Sequence, residues 1–262
     1  MNRTSLTLAA AVVLILFSTS HLPAAEIHVP ADESTIQGAI DLALPGDVVV
    51  VAPGTYFEAL DFAGKAIEVR SSGGAAVTTL DGSSLTVSIV TFDSGEGPDS
   101  VLDGFTLTQG QGTVIPGFSR RGLAIRIENS SPVIRSCVAS DNGLTVVTDG
   151  GAVHCSNSSA LIEDCQFVNN TATAAGAIYI GDASVVRIER CSFENCTTTG
   201  FPGFNAGAIA SIQNSTTTVI DCRFEECSCA PGGSGGAIFS SSGSLGGPPN
   251  LMVVNSLFVG NS

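Results

Sequence analysis

Five segments between Gly122 and Asn261 can be laid over one another, and this internal repeat constrains the fold more than any other feature of the chain. Gly122 to Asn142 and Gly150 to Asn170 align without a gap. Ala175 to Cys196 and Ala206 to Cys227 follow with one residue more, and Gly235 to Asn261 with a longer insertion that holds Gly246-Gly247-Pro248-Pro249. A weaker copy ends in Val101 to Leu107. Four columns emerge. The first is Leu102, Ile134, Ile162, Ile188, Val219 and Val253; the second is Phe105, Cys137, Cys165, Cys191, Cys222 and Ser256. The third is Leu107, Ala139, Phe167, Phe193, Phe224 and Phe258; the fourth is Gly110, Asn142, Asn170, Cys196, Cys227 and Asn261.

The second and third columns are two residues apart, which is strand alternation with both side chains inward. The first and second are three apart, which breaks that parity. The chain must bend there, at Gly104, Ser136, Asp164, Arg190, Asp221 and Asn255. Successive repeats measure 32, 28, 26, 31 and 34 residues. A coil of parallel strands tolerates such variation, because loops on its rim take any length while each strand pairs with its equivalent about 4.8 Å away in the next rung. Identical residues then stack, and a buried Asn column can pass amide hydrogen bonds along the axis. A doubly wound α/β sheet would need a helix between strands, and an antiparallel sandwich predicts no column identity. The reading is an all-β chain, a right-handed parallel β-helix with a short N-terminal capping helix.

The rest of the chain divides around this solenoid. Arg3 followed by the apolar run Leu6 to Phe17 reads as a signal peptide over 1–25, with Ala24-Ala25 as the cleavage region; an uncleaved anchor is the alternative. No later stretch is apolar and long enough to span a bilayer as a helix. Residues 26–262 form the β-helix, with 26–60 as its N-terminal cap and 122–262 as the clear repeats. In the cap, Ser34-Thr35-Ile36-Gln37 has the form of a capping box, with Ser34 as N-cap. Ile36, Ala39, Ile40 and Ala43 fall on one helical face, Pro45-Gly46 stops the helix, and Val48 to Val51 is a buried strand. A helix over the open end of a solenoid hides core side chains and strand edges. The sequence stops just after an Asn of a rung, as a fragment would, or a chain whose last rung a partner covers.

At net charge −14, the chain would repel nucleic acid and anionic membrane surfaces. Hydrophobic residues are 44% and charged residues 13%, enough to bury a core and too few charges for long surface helices.

GGAV at Gly150 to Val153, AGAI at Ala175 to Ile178, AGAI at Ala206 to Ile209 and GGAI at Gly235 to Ile238 resemble the GGA(I/L/V) motif of the polymorphic outer-membrane protein repeats. FVNN at Phe167 to Asn170 and FVGN at Phe258 to Asn261 resemble the FxxN motif of that family; FENC at Phe193 and FEEC at Phe224 depart from it. The segment Thr35 to Val69 is similar to the start of many pectate-lyase-like β-helices. The resemblance implies a bacterial protein displayed at the cell surface or outer membrane, or secreted, with adhesion as its usual role.

The residues that chemistry would need are sparse. Lys65 is the only lysine, and His21, His28 and His154 are the only histidines; His154 sits between inward-pointing Val153 and Cys155 and is expected to face solvent. Glu163 and Glu189 share an outward column, Asp164 and Asp221 share the bend column, and Arg135 and Arg190 alternate with them, which reads as ion pairing between rungs. Asp93, Glu96 and Asp99 lie in a Gly/Pro loop; they are weak candidates for calcium against a solvated turn. No other cofactor is expected and no catalytic residue is assigned. Of the eight cysteines, the column of Cys137, Cys165, Cys191 and Cys222 suits small buried hydrophobes, as does Cys155, aligned with Ile127 and Ile180. If any disulfide forms, Cys196 with Cys227 is the pair to expect. The expected function is non-enzymatic binding of a surface glycan or protein through rim loops, Thr197 to Asn205 and Ser241 to Asn250 above all. The alternative is a carbohydrate-active enzyme, a polysaccharide lyase or glycoside hydrolase of the pectate-lyase-like group.

Overall fold

The computed structural model describes residues 24–116, 120–144, 148–199, 205–242 and 247–262. The apolar run read as a signal peptide and His21 lie outside them, as do 200–204 and 243–246 of the two rim loops. Among the described residues no helix is long and apolar enough to cross a membrane.

Three parallel sheets form the walls of a coil. Among the described residues sheet A has nine strands, from Glu26–Val29 to Asn250–Val254; sheet B has eight, from Gly54–Tyr56 to Leu257–Val259; sheet C has seven, from Leu60–Asp61 to Ile238–Ser241. In the clear repeats each rung runs from a C strand to an A strand to a B strand, and a longer loop returns to C. The columns read from sequence are the strand registers. Ile134 pairs with Leu102 and Ile162, Ile188 with Ile162 and Val219, and Phe193 with Phe167 and Phe224. All of these are buried.

Parity breaks where the columns require it. Every bend residue between sheets A and B has positive φ: Gly104, Ser136, Asp164, Arg190, Asp221 and Asn255. Two further columns of left-handed residues turn the other corners. Asn129, Asn157, Asp182 and Gln213 follow the C strands, and Gln109, Asp141, Asn169, Asn195 and Glu226 follow the B strands. Asn and Asp dominate because short polar side chains tolerate this conformation best.

The Phe-x-x-Asn signature also has a physical basis. Asn142 and Asn170 are fully buried. Asn142 Nδ2 donates to Asn170 Oδ1 (3.0 Å) and to the Leu107 carbonyl (3.0 Å), and Asn142 Oδ1 accepts from Gly110 N–H (2.9 Å). Cys196 and Cys227 interrupt this ladder, and their thiols donate instead to the Phe167 and Phe193 carbonyls at 3.4 and 3.7 Å. All eight cysteines are free thiols, including Cys196 and Cys227, the pair named for any disulfide. Burial pushes the Cys155 thiol up to about 12, leaving it a small hydrophobe rather than a nucleophile.

The cap helix spans Ile36–Leu42 and packs on the first strands of sheets A and C. Its N-cap is Thr35, one residue beyond the expected Ser34; Thr35 Oγ1 accepts from Gly38 N–H at 3.1 Å. Gln37 does not close a capping box. It bridges instead to Asp61, whose N–H it accepts at 2.8 Å, and Glu58 from outside the helix takes the free N–H groups of Ile36 and Gln37. At the other end Lys65 Nζ donates to the carbonyls of Ile40, Asp41 and Ala43, so the sole lysine caps a helix C-terminus.

Candidate functional site

The inward residues of sheet C are apolar up to Ile209, with Ser211 and Ser240 inward in the last two strands, and the outward ones form a single line from rung to rung: Asp61, Thr91, Arg126, His154, Tyr179, Ala210 and Phe239. The line changes character along the axis. Ala210 and Phe239 at one end pack with Ala175, Ala206 and Tyr179 into a small apolar cluster outside the main core. At the other end lies a groove of about 280 Å³, lined by Asp61, Thr91, Asp93, Arg126, Ser88 and Thr113 together with apolar Ala59, Leu60 and Val87.

Sequence reasoning did not select this groove. Its residues come from different rungs, from the part of the chain before the clear repeats and the first strand inside them. Arg126 is mostly covered, and its guanidinium is held between Asp93 and Glu128, the latter at 2.8 Å. Asp61 is exposed and engages one oxygen with Ala63 N–H at 2.8 Å. Ser88 and Thr113 hydroxyls lie 3.1 Å apart, and Ser88 Oγ donates to the Gly122 carbonyl at 2.7 Å. The groove therefore offers the Asp61 carboxylate as an acceptor beside the hydroxyls of Thr91 and Thr113, groups that can recognise a polyol.

The three calcium candidates separate. Glu96 is buried, not in a solvated turn; its carboxylate accepts from Gly64 N–H (2.8 Å), Ser94 N–H (2.9 Å) and Ser130 Oγ (2.7 Å), and so ties two rungs together. Asp93 turns to Arg126, and Asp99 lines a different hollow with Asp47 and Glu68. Among the described residues no three His, Cys, Asp or Glu side chains gather as metal ligands. Glu96→Ala is expected to cost about 2–3 kcal/mol, since it strands donors that a charged acceptor satisfies. A urea midpoint equal to wild type would contradict this structural role.

His154 is the largest departure from expectation. It does point out of the core, yet it is 1% exposed. A small lateral sheet accounts for this: Thr113–Val114 pairs antiparallel with Arg120–Arg121, which pairs parallel with Thr148–Asp149. The imidazole stacks on Tyr179, with ring centroids 5.1 Å apart and planes within 5° of parallel. The Asp149 main chain faces the ring, but its geometry falls short of a hydrogen bond, so neither ring nitrogen has a partner. Burial first, then Arg121 and Arg126, pushes the ring down to about 3.

The ion pairs also differ in detail. Arg135 reaches back to Asp103 (2.8 Å) and Glu68 (3.2 Å) rather than forward to Glu163. Arg190 takes Glu163 (2.7 Å), Asp164 (2.8 Å) and Glu189 (3.0 Å), and its guanidinium holds the Asp164 carboxyl below the usual range.

No curated protein matches the chain. Among solved structures a pectin methylesterase from carrot is similar, with a TM-score of 0.51 and 14% identity, over 94% of this chain and 86% of that one. At that identity the likeness is one of fold. The profile described as Right handed beta helix region matches residues 121–262, more than half of the sequence, and the chain belongs to that family.

Proposed function

We propose that this is an exported β-helix that binds a carbohydrate along the outer face of sheet C, as a binding rather than a catalytic protein. The observation that carries this reading is the groove of Asp61, Thr91, Asp93, Arg126, Ser88 and Thr113. Its carboxylates accept from sugar hydroxyls, and Ser and Thr both give and accept. The net charge of −14 favours a neutral saccharide over a polyuronate. The Gly-Gly-Ala and Phe-x-x-Asn alternation supports display at a bacterial surface, the setting of the polymorphic outer-membrane repeats. The rim loops would then extend the contact; a hollow of about 470 Å³ beside them is lined by Gly143, Leu144, Thr171 and Thr199.

Calorimetric titration with neutral oligosaccharides tests the groove. Asp61→Asn is expected to weaken binding about tenfold or more, the value of a charge-assisted hydrogen bond. Absence of binding to any neutral oligosaccharide, or binding that Asp61→Asn and Thr91→Ala leave intact, would overturn the assignment.

A second reading has its own observation. Asp61 and Asp93 both line the groove, and glycoside hydrolysis uses a carboxylate pair. The fold is also that of a protein named for acting on pectin methyl esters. Methyl-esterified pectin and other polysaccharides, with and without calcium, separate the two. Methanol, reducing ends or unsaturated ends released by wild type and abolished in Asp61→Asn or Asp93→Asn would make the protein an enzyme.

A further inference from the structure

We propose that a hollow on the outer face of sheet A is a second binding surface, which takes a basic, apolar-flanked peptide segment of another protein by its Lys or Arg side chain. The hollow measures about 510 Å³. Strand register builds it: Val48, Glu68 and Val101 stand outward in three successive rungs of the sheet, each paired with the next. Pro45 and Pro98 join Val48 and Val101 in its lining, as do the carboxylates of Asp47 and Asp99, and the lining holds no Lys, Arg or His. A concave, mostly apolar surface with a few polar groups of one character is the usual form of a ligand site. It lies on a different sheet from the groove, and the proposal does not rest on the carbohydrate reading.

The three carboxylates differ in what they already hold. Glu68 is drawn aside by Arg135 at 3.2 Å and Arg70 at 3.8 Å, so its charge is answered. Asp47 accepts the N–H groups of Ala25 and Leu44, both at 2.8 Å, which hold its carboxyl below the usual range. Asp99 is exposed, and among the described residues no cation pairs with it or with Asp47. The hollow thus sets two unanswered negative charges beside an apolar surface. A Lys or Arg side chain is the complement of that arrangement: its methylenes lie along Val48 and Val101 while its cationic end reaches a carboxylate. The net charge of −14 draws such a partner from a distance as well. The occupant is a peptide rather than a free amine because apolar surface continues past the hollow. Leu42 and Leu44 lead into Pro45 and are 62% and 61% exposed, and apolar residues flanking the basic one would cover them. An anionic lipid surface would meet the same carboxylates and be repelled.

Calorimetric titration of the protein with the blocked peptide Ac-ALRLA-amide tests the assignment. Replacing its arginine by citrulline keeps the shape and removes the charge, and should weaken binding about tenfold or more, the value of a charge-assisted hydrogen bond. Asp99→Asn should do the same to the arginine peptide. Glu194→Gln removes one exposed charge from sheet B and should leave binding within about twofold, since distant surface charges are screened. Val48→Thr keeps the β-branched shape of the strand residue and should weaken binding by making the apolar surface polar. Butylammonium, a stem and a charge without flanking residues, should bind at least about tenfold more weakly than the peptide. The citrulline comparison changes only the peptide, so it decides the matter even where a variant does not fold. Absence of binding at millimolar peptide, equal binding of the arginine and citrulline peptides, or equal losses in Asp99→Asn and Glu194→Gln, which would mean attraction by net charge alone, would each overturn the proposal. Butylammonium binding as tightly as the peptide would overturn it too, in favour of a small-amine site.

Discussion

Phe193→Ala is expected to lower stability by about 3–5 kcal/mol, the usual range for deleting a buried aromatic ring. Phe193 has no exposed surface and lies between Phe167 and Phe224, with ring centroids at 4.8 and 4.6 Å and planes within 6° and 3° of parallel. The surrounding rungs cannot collapse into the space, because their separation is fixed by backbone pairing of Ser192, Phe193 and Glu194 to the strands on either side. The neighbouring Glu194 is exposed, and Glu194→Ala should stay within about 0.5 kcal/mol of wild type. In a solenoid each rung leans on its neighbours, so lost protection should appear first around Phe167 and Phe224. Urea unfolding of the two variants, with hydrogen exchange to locate the damage, checks the register. A harmless Phe193→Ala beside a destabilising Glu194→Ala would place the wrong face of the strand in the core.

The core was legible because stacking makes one requirement recur in every rung. Ile134, Ile162 and Ile188 answer the same local environment, so a column of similar residues is the trace of a column of contacts. The rungs before Val101 satisfy the same geometry with less repetition. Val49 and Val69 stack beneath Leu102, and Leu80 beneath Leu107, without the Gly-Gly-Ala punctuation that marks later rungs. A valine run alone does not announce its register. The capping box failed for a related reason: two adjacent residues, Ser34 and Thr35, can each cap, and Glu33 takes the Ser34 N–H that Gln37 would have accepted.

The outer face was far less legible. Alternation correctly placed His154 outside the core, but outside a β-helix wall is not the same as exposed. What covers it includes two short strands from an earlier rung, Thr113–Val114 and Arg120–Arg121, the second paired with Thr148–Asp149 just before its own strand. Nothing in the spacing of a repeat says how a loop folds back. The groove is illegible for the same cause: Asp61, Thr91 and Arg126 are separated by loops of unequal length and meet only because their strands are stacked. Conversely, Asp93, Glu96 and Asp99 are close in sequence and diverge in space, since the turn that holds them sends each carboxylate to a different neighbour.

Gly176→Ala is expected to cost about 3 kcal/mol or more, despite adding one methyl group to a residue that could adopt its backbone angles. Gly151, Gly176, Gly207 and Gly236 are the second residues of the four Gly/Ala-Gly-Ala motifs, and here the backbones of successive rungs meet without room for a side chain. A Cβ on Gly176 would lie 2.0 Å from the Gly207 carbonyl oxygen and 2.6 Å from the Thr197 nitrogen. The same approach repeats one rung away, where a Cβ on Gly207 would fall 1.9 Å from the Gly236 oxygen. Both obstacles are backbone, and the Thr197 N–H is already committed to the Asn170 carbonyl of the rung below, so relief would require parting the rungs. The alanine that follows, Ala177, turns into the core and tolerates no larger neighbour for the same closeness of packing. Gly97 supplies the comparison: a Cβ there meets nothing within 4 Å, and Gly97→Ala should change stability by less than about 1 kcal/mol, in the stabilising direction. Equal stability of the Gly176 and Gly97 variants in thermal and urea unfolding would show that the motif marks something other than close approach of the rungs.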